Sequence, residues 1–75
     1  MGRANLSRRK AKQQRSMETV AFIVEAAAQV LLQEGYERAT TNRIAKRAGV
    51  SVGSLYQYFA NKEAILAKVI DLELH

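Results

Sequence analysis

The chain has no cysteine, no proline and no tryptophan, and its single histidine is the last residue, His75. Without cysteine there is neither a disulfide nor a Cys-based zinc site. A lone terminal histidine offers no partner for a catalytic base or a metal cluster. Paired carboxylates, a nucleophile beside a base and a phosphate-cradling loop are also missing, so no enzymatic activity, cofactor or metal is expected. No apolar run approaches the ~20 residues of a membrane span. Residues 1–16 are mostly polar, lack an apolar stretch and do not resemble a secretory signal. Met1-Gly2 begins like a myristoylation signal, but Leu6 stands where that signal needs Ser or Thr. A soluble, cytoplasmic protein is the expectation. With 75 residues it is at most one small domain, which buries only ~60% of its extended surface. The lack of proline, together with much Ala, Leu, Glu, Lys and Gln, points to an all-α fold.

Acidic residues are also absent from "TTNRIAKRAGVSVGSLYQYF", residues 40–59. The net charge of +5 is segregated rather than mixed. Arg3, Arg8, Arg9, Lys10, Lys12 and Arg15 crowd the first 16 residues without an acid. Glu18, Glu25, Glu34 and Glu37 follow, and then Arg38, Arg43, Lys46, Arg47 and Lys62. Glu63, Asp71 and Glu73 outweigh Lys68 at the end. Cations gathered into two segments suit an anionic partner that meets two parts of the molecule.

Residues 1–16 read as a basic, flexible arm, either waiting for nucleic acid or simply solvated. A first helix is expected from about Met17 to Gln33, with Val20, Ile23, Val24, Ala27, Val30 and Leu31 on one face. Gly35 stops it, and Tyr36 is expected to fold back on the core. A second helix should start at Thr40 or Thr41, whose hydroxyl can accept an orphan N–H, and end at Gly49. Ser51 caps a third helix over Val52–Tyr58, and Asn61 caps a fourth that continues to the chain end.

The centre has the spacing of a helix-turn-helix. Two helices joined by a short glycine turn cross steeply and closely. Ala45 is small enough for the crossing, Gly49 permits a positive φ, and Ile44, Val50 and Leu55 fill the angle between the helices. The reading is therefore a three-helix core with a helix-turn-helix plus a partial fourth helix, occupying residues 17–75.

"ERATTNRIAKRAGVSVGSLYQYFANKEAIL", residues 37–66, resembles the DNA-binding domain of the TetR (tetracycline-repressor-like) family of bacterial transcription regulators. The pattern is carried by Thr41, Ile44, Ala45, Ala48, Gly49, Val50, Ser51, Gly53, Leu55, Tyr56, Tyr58, Phe59, Lys62 and Leu66. "AAAQVLLQEGY", residues 26–36, extends the likeness to about residues 20–72. Tyr58 stands where many members have histidine, and either side chain reaches a phosphate.

The resemblance implies double-stranded DNA as partner, a palindromic operator and, most often, repression. It also implies a larger domain that dimerises and binds a small-molecule effector, here absent, so the homodimer belongs to the full-length protein. In the family the third helix enters the major groove, which puts Val52, Gly53 and Ser54 at base edges. Val52 suits a thymine methyl, Ser54 a base or phosphate, and Gly53 a close backbone approach. A helical glycine costs ~1 kcal/mol against alanine, so Gly53 needs a reason, although relief of crowding would be another. Thr41, Asn42 and Arg43 fall at the DNA-facing start of the second helix. Lys46 and Arg47 are backbone-facing cations, not all of which need touch DNA.

Tyr56 and Tyr58 point in nearly opposite helical directions, so both are not fully buried; each is expected to offer its hydroxyl to a phosphate. Lys62 follows the Asn61 cap at a helix N-terminus, where a cation is disfavoured until an anion docks. A basic amphipathic module on an anionic membrane or an acidic protein is the competing reading, and it leaves the glycine turn unexplained.

The fourth helix has two apolar sets, Ile65, Val69 and Leu72 on one side and Leu66, Ile70 and Leu74 on the other. A small domain covers one, so the second is expected to dock on a domain missing from this chain.

Overall fold

The computed structural model describes the backbone of residues 2–74 and the side chains of residues 14–72. Four helices follow in order: α1 (Gly2–Glu34), α2 (Thr41–Ala48), α3 (Val52–Tyr58) and α4 (Lys62–Leu74). No strand occurs among the described residues, so the fold is all-α.

The start of the first helix differs from expectation. The chain does not become helical at Met17; α1 is continuous from Gly2 for 33 residues. Low apolar content argues against packing, but propagation of a helix needs only the absence of breakers. Between Arg3 and Glu34 there is neither glycine nor proline, and Ala4, Leu6, Ala11 and the Lys, Arg and Gln residues are good helix formers. The side chains of residues 1–13 lie outside the described residues, and with them most of the basic arm.

The other boundaries follow local chemistry. Thr40 is extended (φ −78°, ψ 158°) and its hydroxyl accepts from the Arg43 amide at 3.2 Å, capping α2. Gly49 ends α2 at φ 76°, where an L side chain would be strained. The Val50 amide then reaches back to the Ala45 carbonyl at 3.0 Å, which closes the tight turn. Ser51 Oγ accepts from the Ser54 amide at 3.0 Å and Asn61 Oδ1 from the Ala64 amide at 2.9 Å, so α3 and α4 begin where hydroxyl and amide caps dictate.

These short helices hold together by a common core. Ile23, Val24, Ala26 and Ala27 of α1 meet Ile44 and Ala45 of α2, Leu55 of α3, and Ile65, Leu66 and Val69 of α4. Val50 and Phe59 pack against the cluster from the two turns. Each fully buried Leu or Ile contributes ~1.5–3 kcal/mol relative to exposure, and that burial is what makes a seven-residue helix such as α3 stable.

Two core expectations are corrected. Tyr36 does not fold inward; it is 55% exposed, its ring turned to a cation on α4. Nor does α4 divide into one covered and one uncovered stripe. Ile65 and Leu66, neighbours on the wide face of its first turns, are both buried, whereas Ile70 and Leu72 are 55% and 54% exposed on opposite flanks. Cover over α4 ends after Val69, so position along the helix decides burial more than face does. Leu74 lies outside the described side chains.

Candidate nucleic-acid interface

The crossing of α2 and α3 brings Thr41 and Tyr56 together. Their hydroxyls lie 2.9 Å apart, linking the first residue of α2 to the middle of α3. Neither is buried, and no carboxylate occurs between Thr40 and Phe59. Two hydroxyls on two elements thus converge at an exposed edge beside the N-terminus of α2. Asn42 is exposed on the next position of the same helix. Such an edge offers O–H donors and helix amides to an oxyanion.

Along α3, Val52, Gly53 and Gln57 are exposed, and Ser54 is half-buried. Leu55 points the other way, fully into the core, and fixes the rotation of the helix. The Ser51 hydroxyl donates to Ser54 Oγ at 3.0 Å, so the Ser54 hydroxyl keeps its own proton free to donate outward. A Cβ placed on Gly53 would meet only Ser51 Oγ, at 3.9 Å, which is ordinary contact. Crowding inside the protein therefore does not account for this glycine.

Gln57 is a residue that the sequence alone does not single out. Its position four residues after Gly53 on a short helix is the available signal, since i and i+4 share a face. Tyr58 is 37% exposed, and its ring is partly packed at the end of α3.

The cations divide in a way the linear order does not show. Arg43 is ion-paired to Glu34, the last residue of α1. Arg47 Nε donates to Gln29 Oε1 of α1 at 2.9 Å. Both lean toward α1 and line an open cleft of about 390 Å³ together with Val30, Glu34 and Lys46. Lys62 is half-buried at the start of α4; its ammonium donates to the Tyr36 carbonyl and sits 3.8 Å from the centre of the Tyr36 ring. The unfavourable charge at that helix N-terminus is thus balanced inside the molecule by a carbonyl and a π face. Lys46 is exposed.

A glycine-closed pair of helices with an acid-free, hydroxyl-lined exposed face is a helix-turn-helix DNA-binding domain. The family model for bacterial regulatory proteins of the tetR family matches residues 23–69, and the chain belongs to that family. It is similar to the A-factor receptor protein of Streptomyces griseus, with 49% identity over 61 residues, 81% of this chain and 22% of the relative. It is 48% identical over 44 residues to the fatty acid metabolism regulator protein of Bacillus subtilis, covering 59% of this chain and 23% of that protein. The HTH-type transcriptional regulator PksA of Bacillus subtilis is 42% identical over 50 residues, 67% of this chain and 24% of PksA. The chain spans about a quarter of the length of these relatives. No solved structure matches it. The family is one of bacterial regulatory proteins, two of these relatives are named as regulators, and the chain corresponds to the DNA-binding part. Among the described residues no helix is long and apolar enough to cross a membrane.

Proposed function

We propose that this domain binds double-stranded DNA sequence-specifically, with α3 reading base edges in the major groove, as the DNA-binding part of a repressor. The observation that carries the reading is the 2.9 Å meeting of the Thr41 and Tyr56 hydroxyls beside the α2 N-terminus. A phosphate docked there receives the one O–H that the Thr41–Tyr56 bond leaves free, from a pair that ties together the two helices whose mutual angle sets how α3 enters the groove. Phosphate contacts fix register, and the exposed first turn of α3 then supplies the readout. Val52 offers an apolar contact for a thymine methyl, Ser54 a hydroxyl, and Gln57 an amide able to pair with adenine in two bonds. Asn42, Tyr58 and Lys62 extend the contact to neighbouring phosphates or bases, and the basic residues of the first 16 positions add sequence-independent attraction.

Only about a quarter of each of these relatives is matched, which supports an effector-binding part outside this chain, and a homodimer on a palindromic operator goes with that reading. The exposed Ile70 and Leu72 on α4 suit contact with that part. Cytoplasmic action on the nucleoid follows from the same reading.

Two classes of substitution separate positioning from reading. Tyr56→Phe and Lys62→Ala are expected to weaken cognate and unrelated duplexes together. Changes at Val52 or Ser54 are expected to alter which sequence is preferred, by ~1–3 kcal/mol for each base whose recognition is disrupted. Unaltered preference in the Val52 and Ser54 variants would take α3 out of the reader's role. Gly53→Ala makes a second, sharper contrast. It is expected to stabilise the fold by ~0.5–1 kcal/mol, since no internal clash opposes it, while weakening DNA binding. A Gly53→Ala variant that bound DNA as the parent does would show that no backbone approach occurs there.

A further inference from the structure

The turn that closes α1 holds two of the cations that the DNA reading places at phosphates. Glu34, the last residue of α1, pairs with Arg43 of α2, nine residues on. Two residues past Glu34, the Tyr36 main-chain carbonyl accepts from Lys62 of α4, and the Tyr36 ring lies beneath the same ammonium. One short segment thus presents a carboxylate, a carbonyl and a π face to a guanidinium and an ammonium drawn from different helices. Gly35 makes this possible: at φ 90° it turns the chain sharply enough to aim Glu34 at α2 and the Tyr36 carbonyl at α4.

We propose that this turn is an internal competitor for the DNA backbone. In the free protein Glu34 and Tyr36 occupy Arg43 and Lys62, and on duplex binding phosphates displace them. Glu34 then lowers the affinity for every duplex. The inference rests on the proposed DNA reading and adds a negative determinant to it.

The strength of the contacts fits a competitor rather than a lock. The Arg43 and Glu34 side chains are 49% and 27% exposed, so their pair is screened by solvent and held weakly. A duplex surface carries a far denser array of negative charge than one carboxylate, and releases counterions when cations bind it. Displacement from Glu34 is therefore feasible, yet it leaves Glu34 facing DNA with its partner withdrawn, and like charges repel. Removing the Glu34 charge removes both the competition and the repulsion. Glu34 is not part of the core cluster, so the isosteric Glu34→Gln leaves the packing in place.

The test is duplex binding by the chain and by Glu34→Gln, Arg43→Ala and the double variant, over a range of salt, with far-UV circular dichroism to confirm helicity. Glu34→Gln is expected to bind cognate and unrelated duplexes about three- to tenfold more tightly at low salt, with the log–log salt slope little changed, because the same phosphates are engaged once Glu34 is displaced. Arg43→Ala is expected to abolish that gain in the double variant, because the two residues act as a pair. Unchanged affinity in Glu34→Gln, while the parent binds duplex DNA, would overturn the competitor and leave the DNA reading standing. A gain that survives Arg43→Ala would overturn the pairing and reduce Glu34 to a general negative charge. A parent chain that binds no duplex at all would overturn both.

Discussion

Leu55→Ala is expected to lower the melting temperature by ~10–30 °C, from a cost of ~2–5 kcal/mol in a domain of this size. Leu55 is fully buried and is the one residue of α3 in the core cluster. Truncation at Cβ leaves a cavity where α1, α2 and α4 converge on it. A chain of 75 residues has a total stability of only ~4–11 kcal/mol, so a single loss of this kind removes a large part. The seven residues of α3 cannot persist as an isolated helix, and without Leu55 nothing fixes which face they show to a groove. DNA affinity should therefore fall even where the remaining helices survive. Leu32→Ala is the control: the same chemical change at a residue 86% exposed is expected to stay within ~0.5 kcal/mol. Thermal melts followed by circular dichroism make the comparison. Equal melting temperatures for the two variants would show that α3 is not anchored as described.

The second large effect is on salt. If the first 16 residues and the face around Thr41, Arg43 and Lys62 neutralise ~5–8 phosphates, log affinity falls against log salt with a slope of about −4.5 to −7. Between 50 and 200 mM salt this amounts to a drop of ~10³- to 10⁴-fold, more than any single side chain could produce. Deleting residues 1–15 removes six cations and no acid, and is expected to flatten the slope and weaken all sequences alike. The backbone that carries these residues is helical from Gly2. A slope unchanged by the deletion would remove them from the interface.

What is legible in the sequence is local. Thr40, Ser51 and Asn61 each cap the helix that follows them, and Gly35 and Gly49 adopt the positive φ that ends the helix before them. These features depend on a few neighbouring atoms, so residue type and order suffice. The inward set of Ile44, Ala45 and Leu55 is equally clear, because the spacing of a close helical crossing leaves little choice.

Expectation and structure part where a distant element decides the outcome. Tyr36 lies outside the core because Lys62, 26 residues away, offers its ring a partner. Leu66 is buried and Leu72 exposed because cover over α4 depends on where α1 runs alongside it, which a helical wheel does not contain. The charge of Lys62 calls for compensation on sequence alone, but the internal compensator is not visible in linear order. Nor is the pairing of Arg43 and Arg47 with Glu34 and Gln29, since α1 and α2 are brought side by side only by folding. The start of α1 eludes the sequence for a different reason: a segment too polar to pack can still be helical.

Selection of bound sequences from a random duplex pool, carried out with the chain and with its Val52 and Ser54 variants, tests most directly whether α3 reads DNA. The parent should enrich one short sequence, and each variant should relax or change the preference at one or two adjacent positions of it. A pool that remains random, or one that yields the same sequence whatever stands at positions 52 and 54, would contradict the reading.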